Sequence, residues 1–175
     1  MNKQTIVSLI VIILGVTGLV LWSKSVDNRA LSSTETKSHP ARIENTAGGL
    51  KADNTFYDFG TISMKNGNVS KIFTVTNPTA EDITVPSLYT SCMCTKAYIV
   101  NSDGSKKGPF GMPGHGGTVP KANETIKAGS SVDIEVVYDP NAHGPAGVGL
   151  IERAVFLEDE NRNVIEYKFK VNVTP

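Results

Sequence analysis

From residue 54 to the C-terminus the chain runs in short stretches in which apolar and polar positions alternate. In "VSKIFTVTN" Val69, Phe73 and Val75 share one face while Ser70, Thr74 and Thr76 share the other, the period-two pattern of a half-buried strand. "SSVDIEVVYDP" repeats the pattern with Val132, Ile134, Val136 and Tyr138. "IERAVFLEDENRNVIEYKFKVNV" predicts two strands around an Asp/Glu/Asn turn. The second strand turns Ile165, Tyr167, Phe169, Val171 and Val173 to one side and Glu166, Lys168 and Lys170 to the other. Turn residues punctuate these runs: "NPTAED" follows the first, and Pro86 confines "ITVPSLY" to a sheet edge or a bend. About seven short strands without an amphipathic helix predict an all-β domain over residues 54–175, an antiparallel β-sandwich.

Ahead of this domain the pattern is of two other kinds. Residues 5–22, "TIVSLIVIILGVTGLVLW", carry no charge over a length that nearly crosses a hydrocarbon core as a helix. Residues 1–22 are therefore expected to be a membrane anchor or uncleaved signal. No A-x-A cleavage site follows, and no cysteine that a lipid could modify. Lysines and arginines flank both ends of the run, so charge does not fix its orientation. The short leading segment favours export, which predicts a single-pass protein of a bacterial cell membrane with its C-terminal domain extracytoplasmic, periplasmic or on the cell surface. Residues 23–53 mix Ser, Thr, Asn, Ala and charge without an apolar period and are expected to be a flexible tether, with His39 a solvated part of it.

Charge and composition narrow the partners. Seventeen basic residues balance seventeen acidic ones, so no field exists to neutralise many phosphates, and nucleic acid is excluded as a partner. No phosphate-loop lysine, H-E-x-x-H motif, carboxylate pair or nucleophile elbow is present, and the expectation is a chain that is not an enzyme and has no catalytic residue. "DFG" at residues 58–60 stands without the other kinase motifs and reads as a strand end and turn.

The remaining chemistry lies in "SCMCT", residues 91–95, which holds the chain's two cysteines, and in two Gly-rich segments, residues 101–123 and 141–149. In an extended strand Cys92 and Cys94 would point to one face and Met93 away. Their Cα atoms would then lie near the upper limit for a disulfide, so a Cys92–Cys94 bond is one candidate. Two reduced thiolates on one face could instead share a soft ion such as copper or zinc. Such an ion needs further ligands. Met112 and His115 in "GMPGHGG" and His143 in "AHGPAG" are the thioether and imidazoles available, and the glycines beside them permit close approach. Packing remains the plainer role for each of these residues.

Together "FYDFGTI", "SCMCT", "IKAGSSVDIEVVYDP" and "RAVFLEDEN" resemble the bacterial domain-of-unknown-function family 1573 over most of residues 54–173. The resemblance implies an immunoglobulin-like sandwich related to the ASPM/SPD-2/Hydin modules, exported and without an assigned reaction. Cys92 and Cys94 match the family's Ser-Cys-Gly-Cys-Thr signature, Met93 stands in place of its glycine, and the 101–123 insertion lengthens a connection. Three functions remain open. The first is a membrane-tethered, non-catalytic module that binds or spaces an envelope protein partner and needs no cofactor. The second is an extracytoplasmic copper-binding protein, and the third a thiol-disulfide exchange protein.

Overall fold

A computed structural model describes residues 46–115 and 118–175. The expected anchor at residues 1–22 and the tether up to residue 45, His39 included, lie outside the described residues. No helix among the described residues is long and apolar enough to cross a membrane. These residues are all-β, with two short 3-10 turns at Met64–Asn66 and Gly144–Gly147.

A six-stranded sheet takes the order β1-β2-β4-β10-β7-β8, formed by β1 (Thr46–Ala47), β2 (Leu50–Ala52), β4 (Val69–Thr76), β10 (Ser131–Tyr138), β7 (Thr95–Val100) and β8 (Lys106–Phe110). A four-stranded sheet takes the order β3-β12-β11-β6, from β3 (Phe56–Ser63), β12 (Val164–Thr174), β11 (Gly149–Glu158) and β6 (Ser87–Thr90). A small third ladder pairs β5 (Ile83–Val85) with β9 (Glu124–Ile126). Period-two alternation turns one face of each large sheet inward, and the two faces meet in ring contacts. Phe73 on β4 lies 4.9 Å from Tyr167 on β12, and Tyr138 on β10 lies 5.5 Å from Phe169 on β12. Phe73, Val75, Ile134, Val136, Ile165, Tyr167, Phe169, Val171 and Val173 are all buried, as their alternation predicts.

The β11–β12 hairpin closes where the Asp/Glu/Asn turn was expected. Buried Asp159 accepts hydrogen bonds from the backbone N–H groups of Asn161 and Asn163 and from the Asn163 side chain. Near this turn, at the same end of the sandwich, Asn77 is fully buried and fully partnered. Its amide donates to the carbonyls of Glu81 and Ile126, and its side-chain oxygen accepts from the backbone and hydroxyl of Thr79. One side chain thereby ties the "NPTAED" turn to β9, which satisfies polar groups that would otherwise be costly to bury.

Three expectations are corrected. Residues 46–52 are not tether: Gly48 and Gly49, at φ +57° and +86°, close a two-residue hairpin between β1 and β2, and β2 then pairs with β4 through Lys51 and Ala52. Leu50 and Ala52 are buried in the core. The pairing is not wholly antiparallel, because β3 lies parallel to β12. More strands form than about seven, since Pro86 divides β5 from β6 and short ladders accompany the long ones. The Gly-rich 101–123 insertion supplies β8, which returns along β7 through a turn closed by the Asn101 and Gly104 backbone.

Candidate metal and disulfide site

The pole of the sandwich where β6 passes into β7 carries both cysteines. The "SCMCT" segment is not an extended strand, as expected from its neighbours, but a turn in which the Thr95 N–H donates to the Cys92 carbonyl at 3.1 Å. The turn does what the strand geometry was expected to do. It brings the Cα atoms of Cys92 and Cys94 to 5.3 Å, well inside disulfide range, and the two are disulfide-bonded. Met93 at its tip is 44% exposed.

The turn is clamped on both sides. Ser91 exchanges two hydrogen bonds with Ala154 on β11, its N–H donating to the carbonyl and its hydroxyl accepting from the N–H, each at 2.9 Å. The buried Thr90 hydroxyl donates to the Cys92 carbonyl, and the Thr90 N–H donates to the Gly111 carbonyl. The second bond fixes the start of the loop that carries Met112 and His115, and the His115 N–H closes that loop onto the Met112 carbonyl.

The other Gly-rich loop is held by the cysteines themselves. The Asp139 N–H donates to the Cys94 carbonyl at 2.9 Å, and the Asp139 carboxylate accepts from the Asn141 N–H. The chain then turns through Gly144, at φ +52°, where a side chain would be strained. Gly147 passes so close that an added Cβ would lie 3.3 Å from the His143 Cβ. His143 is thus aimed back at the cysteines, with Nε2 3.2 Å from Cys92 Sγ. The Cys94 N–H contacts the same sulfur at 3.3 Å. The ligand atoms of Cys92, Cys94 and His143 all lie within 4.8 Å of one another, so that the two sulfurs, once their bond is opened and they have parted, could share an ion with the imidazole.

Around them opens a pocket of about 460 Å³, lined by Cys92, Met93, Met112, His115, His143 and Arg153, together with Ser91 and Glu152. The pocket therefore gathers Met112, His115 and His143, the three residues expected from sequence to accompany the cysteines, and His143 is the one that clusters with both of them. Cys94 does not line it and is 2% exposed; Cys92 lines it and is 7% exposed. Glu152 and Arg153 were not anticipated. They lie in a strand whose sequence reads as ordinary hairpin, and no local motif signals that this strand passes beside the cysteine turn.

No protein-family model matches this chain, and no curated protein matches it. Solved structures do. A protein of unknown function from Porphyromonas gingivalis W83 is 15% identical over 77% of this chain and 51% of its own, with a TM-score of 0.51. The secreted serine protease VesC from Vibrio cholerae is 15% identical over 73% of this chain and 24% of its own, at a TM-score of 0.44. PapD-like domain 7 of human CEP192 is 9% identical over 73% of this chain and 87% of its own, at 0.43. This chain thus spans about half the length of the Porphyromonas protein and about a quarter of VesC. The likeness to the Porphyromonas protein is one of fold.

Proposed function

We propose that this chain is a membrane-tethered, extracytoplasmic and non-catalytic binding module whose ligand is a soft metal ion, Cu(I) before Zn(II). The observation that carries this reading is convergence. Three segments far apart in sequence bring the cysteine pair, an imidazole 3.2 Å from Cys92 Sγ, a thioether and a second imidazole to one pole of the sandwich, all but Cys94 lining one pocket. Thiolate and thioether are the ligands that select Cu(I), and imidazole suits copper equally well. Cys92, Cys94 and His143 would form the ligand set, with Met112 and His115 at the mouth.

The tether and the compartment rest on the sequence. Residues 5–22 form the apolar run of a membrane segment, and a disulfide between neighbouring cysteines fits an oxidising compartment. An immunoglobulin-like sandwich of the kind implied by the resemblance to family 1573 serves here as a rigid frame whose loops make the site.

The test is an anaerobic titration of the full-length protein, reduced and freed of reductant, with Cu(I) presented as its bicinchoninate complex. Uptake of one Cu(I) per chain is expected, lost in Cys92→Ser and in Cys94→Ser. Absence of saturable uptake by the reduced protein would refute the metal reading and leave a module that binds through its surface alone.

A further inference from the structure

We propose that the Cys92–Cys94 disulfide is the closed state of the metal site and that a dithiol reductant opens it by attacking Cys92. This inference rests on the metal reading above and concerns the regulation of that site. Metal binding and the disulfide use the same two sulfur atoms. A sulfur engaged in an S–S bond has given up the thiolate that binds a soft cation, so oxidation removes two of the three clustered ligands and leaves His143 alone. Loading therefore requires two electrons delivered to the cysteine pair.

Access decides where they enter. Cys92 lines the pocket and is 7% exposed, while Cys94 does not line it, is 2% exposed and has its sulfur 3.7 Å from the Thr95 hydroxyl. A thiolate arriving through the pocket meets Cys92 first. Its attack forms a mixed disulfide on Cys92, breaks the S–S bond and releases Cys94 as a thiolate. Cys94 is two residues away in a clamped turn, so its effective concentration at the mixed disulfide is high and it expels a reagent that carries a single thiol. A reagent with a second thiol escapes this recapture. That thiol attacks its own sulfur in the mixed disulfide, the reagent leaves as a closed disulfide, and Cys92 is freed.

The balance is one disulfide and one dithiol giving one dithiol and one disulfide. The reductant's two thiol protons pass to Cys92 and Cys94, and the arriving metal displaces them to water. The contacts of Cys92 Sγ with His143 Nε2 and with the Cys94 N–H do not involve the S–S bond, so opening it leaves the imidazole beside Cys92 while the two sulfurs move apart to admit the ion.

The experiment uses the full-length protein in two redox states. Oxidised protein should take up no Cu(I) from the bicinchoninate complex, and protein treated with dithiothreitol and then desalted should take up one equivalent. If neither form binds, the metal reading fails; if both bind equally, the gating fails while the metal reading stands. Brief exposure of the reduced wild-type protein to limiting iodoacetamide, followed by peptide fragmentation, should place label on Cys92 over Cys94 by about tenfold or more, and dithiothreitol should open the site at least about tenfold faster than glutathione at matched thiolate concentration. Equal labelling, preference for Cys94, or a monothiol as fast as the dithiol would overturn the proposed route. Reduced thioredoxin in place of dithiothreitol distinguishes a protein dithiol from a small one by its rate.

Discussion

The middle of the sandwich and the cysteine pole are built on opposite logics. In the middle, Phe73, Tyr138, Tyr167 and Phe169 interlock from two sheets, and each buried side chain rests on several others. At the pole, position depends on a few hydrogen bonds: those from Asp139 to Cys94 and from Asn141 to Met64 set the loop of His143, and one from Thr90 to Gly111 sets the loop of Met112. A core of the first kind carries stability and tolerates exchange among apolar residues of similar volume, whereas a site of the second kind carries chemistry and tolerates little. Substitutions should therefore divide into those that move the unfolding midpoint and those that move metal affinity.

The largest effect should come from the middle. Phe169→Ala removes a buried ring that packs on Tyr138 and Phe59, and should cost about 3–5 kcal/mol in denaturant unfolding, much of a small domain's margin. A cost no greater than that of a surface exchange would break the comparison. At the pole, His143→Ala should leave the unfolding midpoint nearly unchanged and weaken Cu(I) binding on the order of 10- to 100-fold. His115→Ala and Met112→Ala should weaken it by less than about tenfold, since His143 is the residue clustered with the two cysteines. A uniform loss of stability across these three would make the pole part of the core.

Tyr167 sharpens the contrast from inside the core. Its hydroxyl is buried with no hydrogen-bond partner among the described residues, and burial, with a smaller contribution from the Asp53 charge, pushes its phenol pKa well up. Above about pH 10 the unfolded chain sheds this proton while the folded chain keeps it. The unfolded state then binds fewer protons, so stability must fall as pH rises. Tyr167→Phe should flatten that fall between about pH 9 and 11 and be neutral or stabilising by up to about 1 kcal/mol near neutrality. The smallest effect belongs to the outer face of the same strand. Lys168→Ala breaks an exposed pair with Glu166 and should change the midpoint by less than about 0.5 kcal/mol. Equal losses at residues 168 and 169 would contradict the register of β12.

The same contrast governs what could be read from sequence. The inner face of β12 was legible because strict alternation over eleven residues admits one assignment of faces. Alternation does not encode which neighbour a strand takes or in which direction, so the parallel pairing of β3 with β12 was not legible. The three residues of β2 are too few to show a period, although Gly48 and Gly49 before Leu50 carry a two-residue hairpin signal within the segment read as tether. At the pole, the residue types announced their chemistry while their meeting did not. The turn at residues 91–94 contains no Gly, Pro or Asn to mark it, and its shape comes from Ala154 and Asp139, distant in the chain.

Asn77 bears on how this protein ages. Asparagine side chains in long-lived proteins decay when the following backbone nitrogen attacks the side-chain amide, closing a ring that hydrolyses to aspartate or its isomer. At residue 77 that change would replace a donor serving two carbonyls with a buried negative charge, and the tie between the turn and β9 would be lost. The following residue is Pro78, whose ring nitrogen carries no hydrogen and cannot make the attack. The same chemistry finds an easier target at Asp103, which precedes Gly104 in the exposed turn between β7 and β8. Isomerisation there alters a surface bend and leaves the sandwich joined.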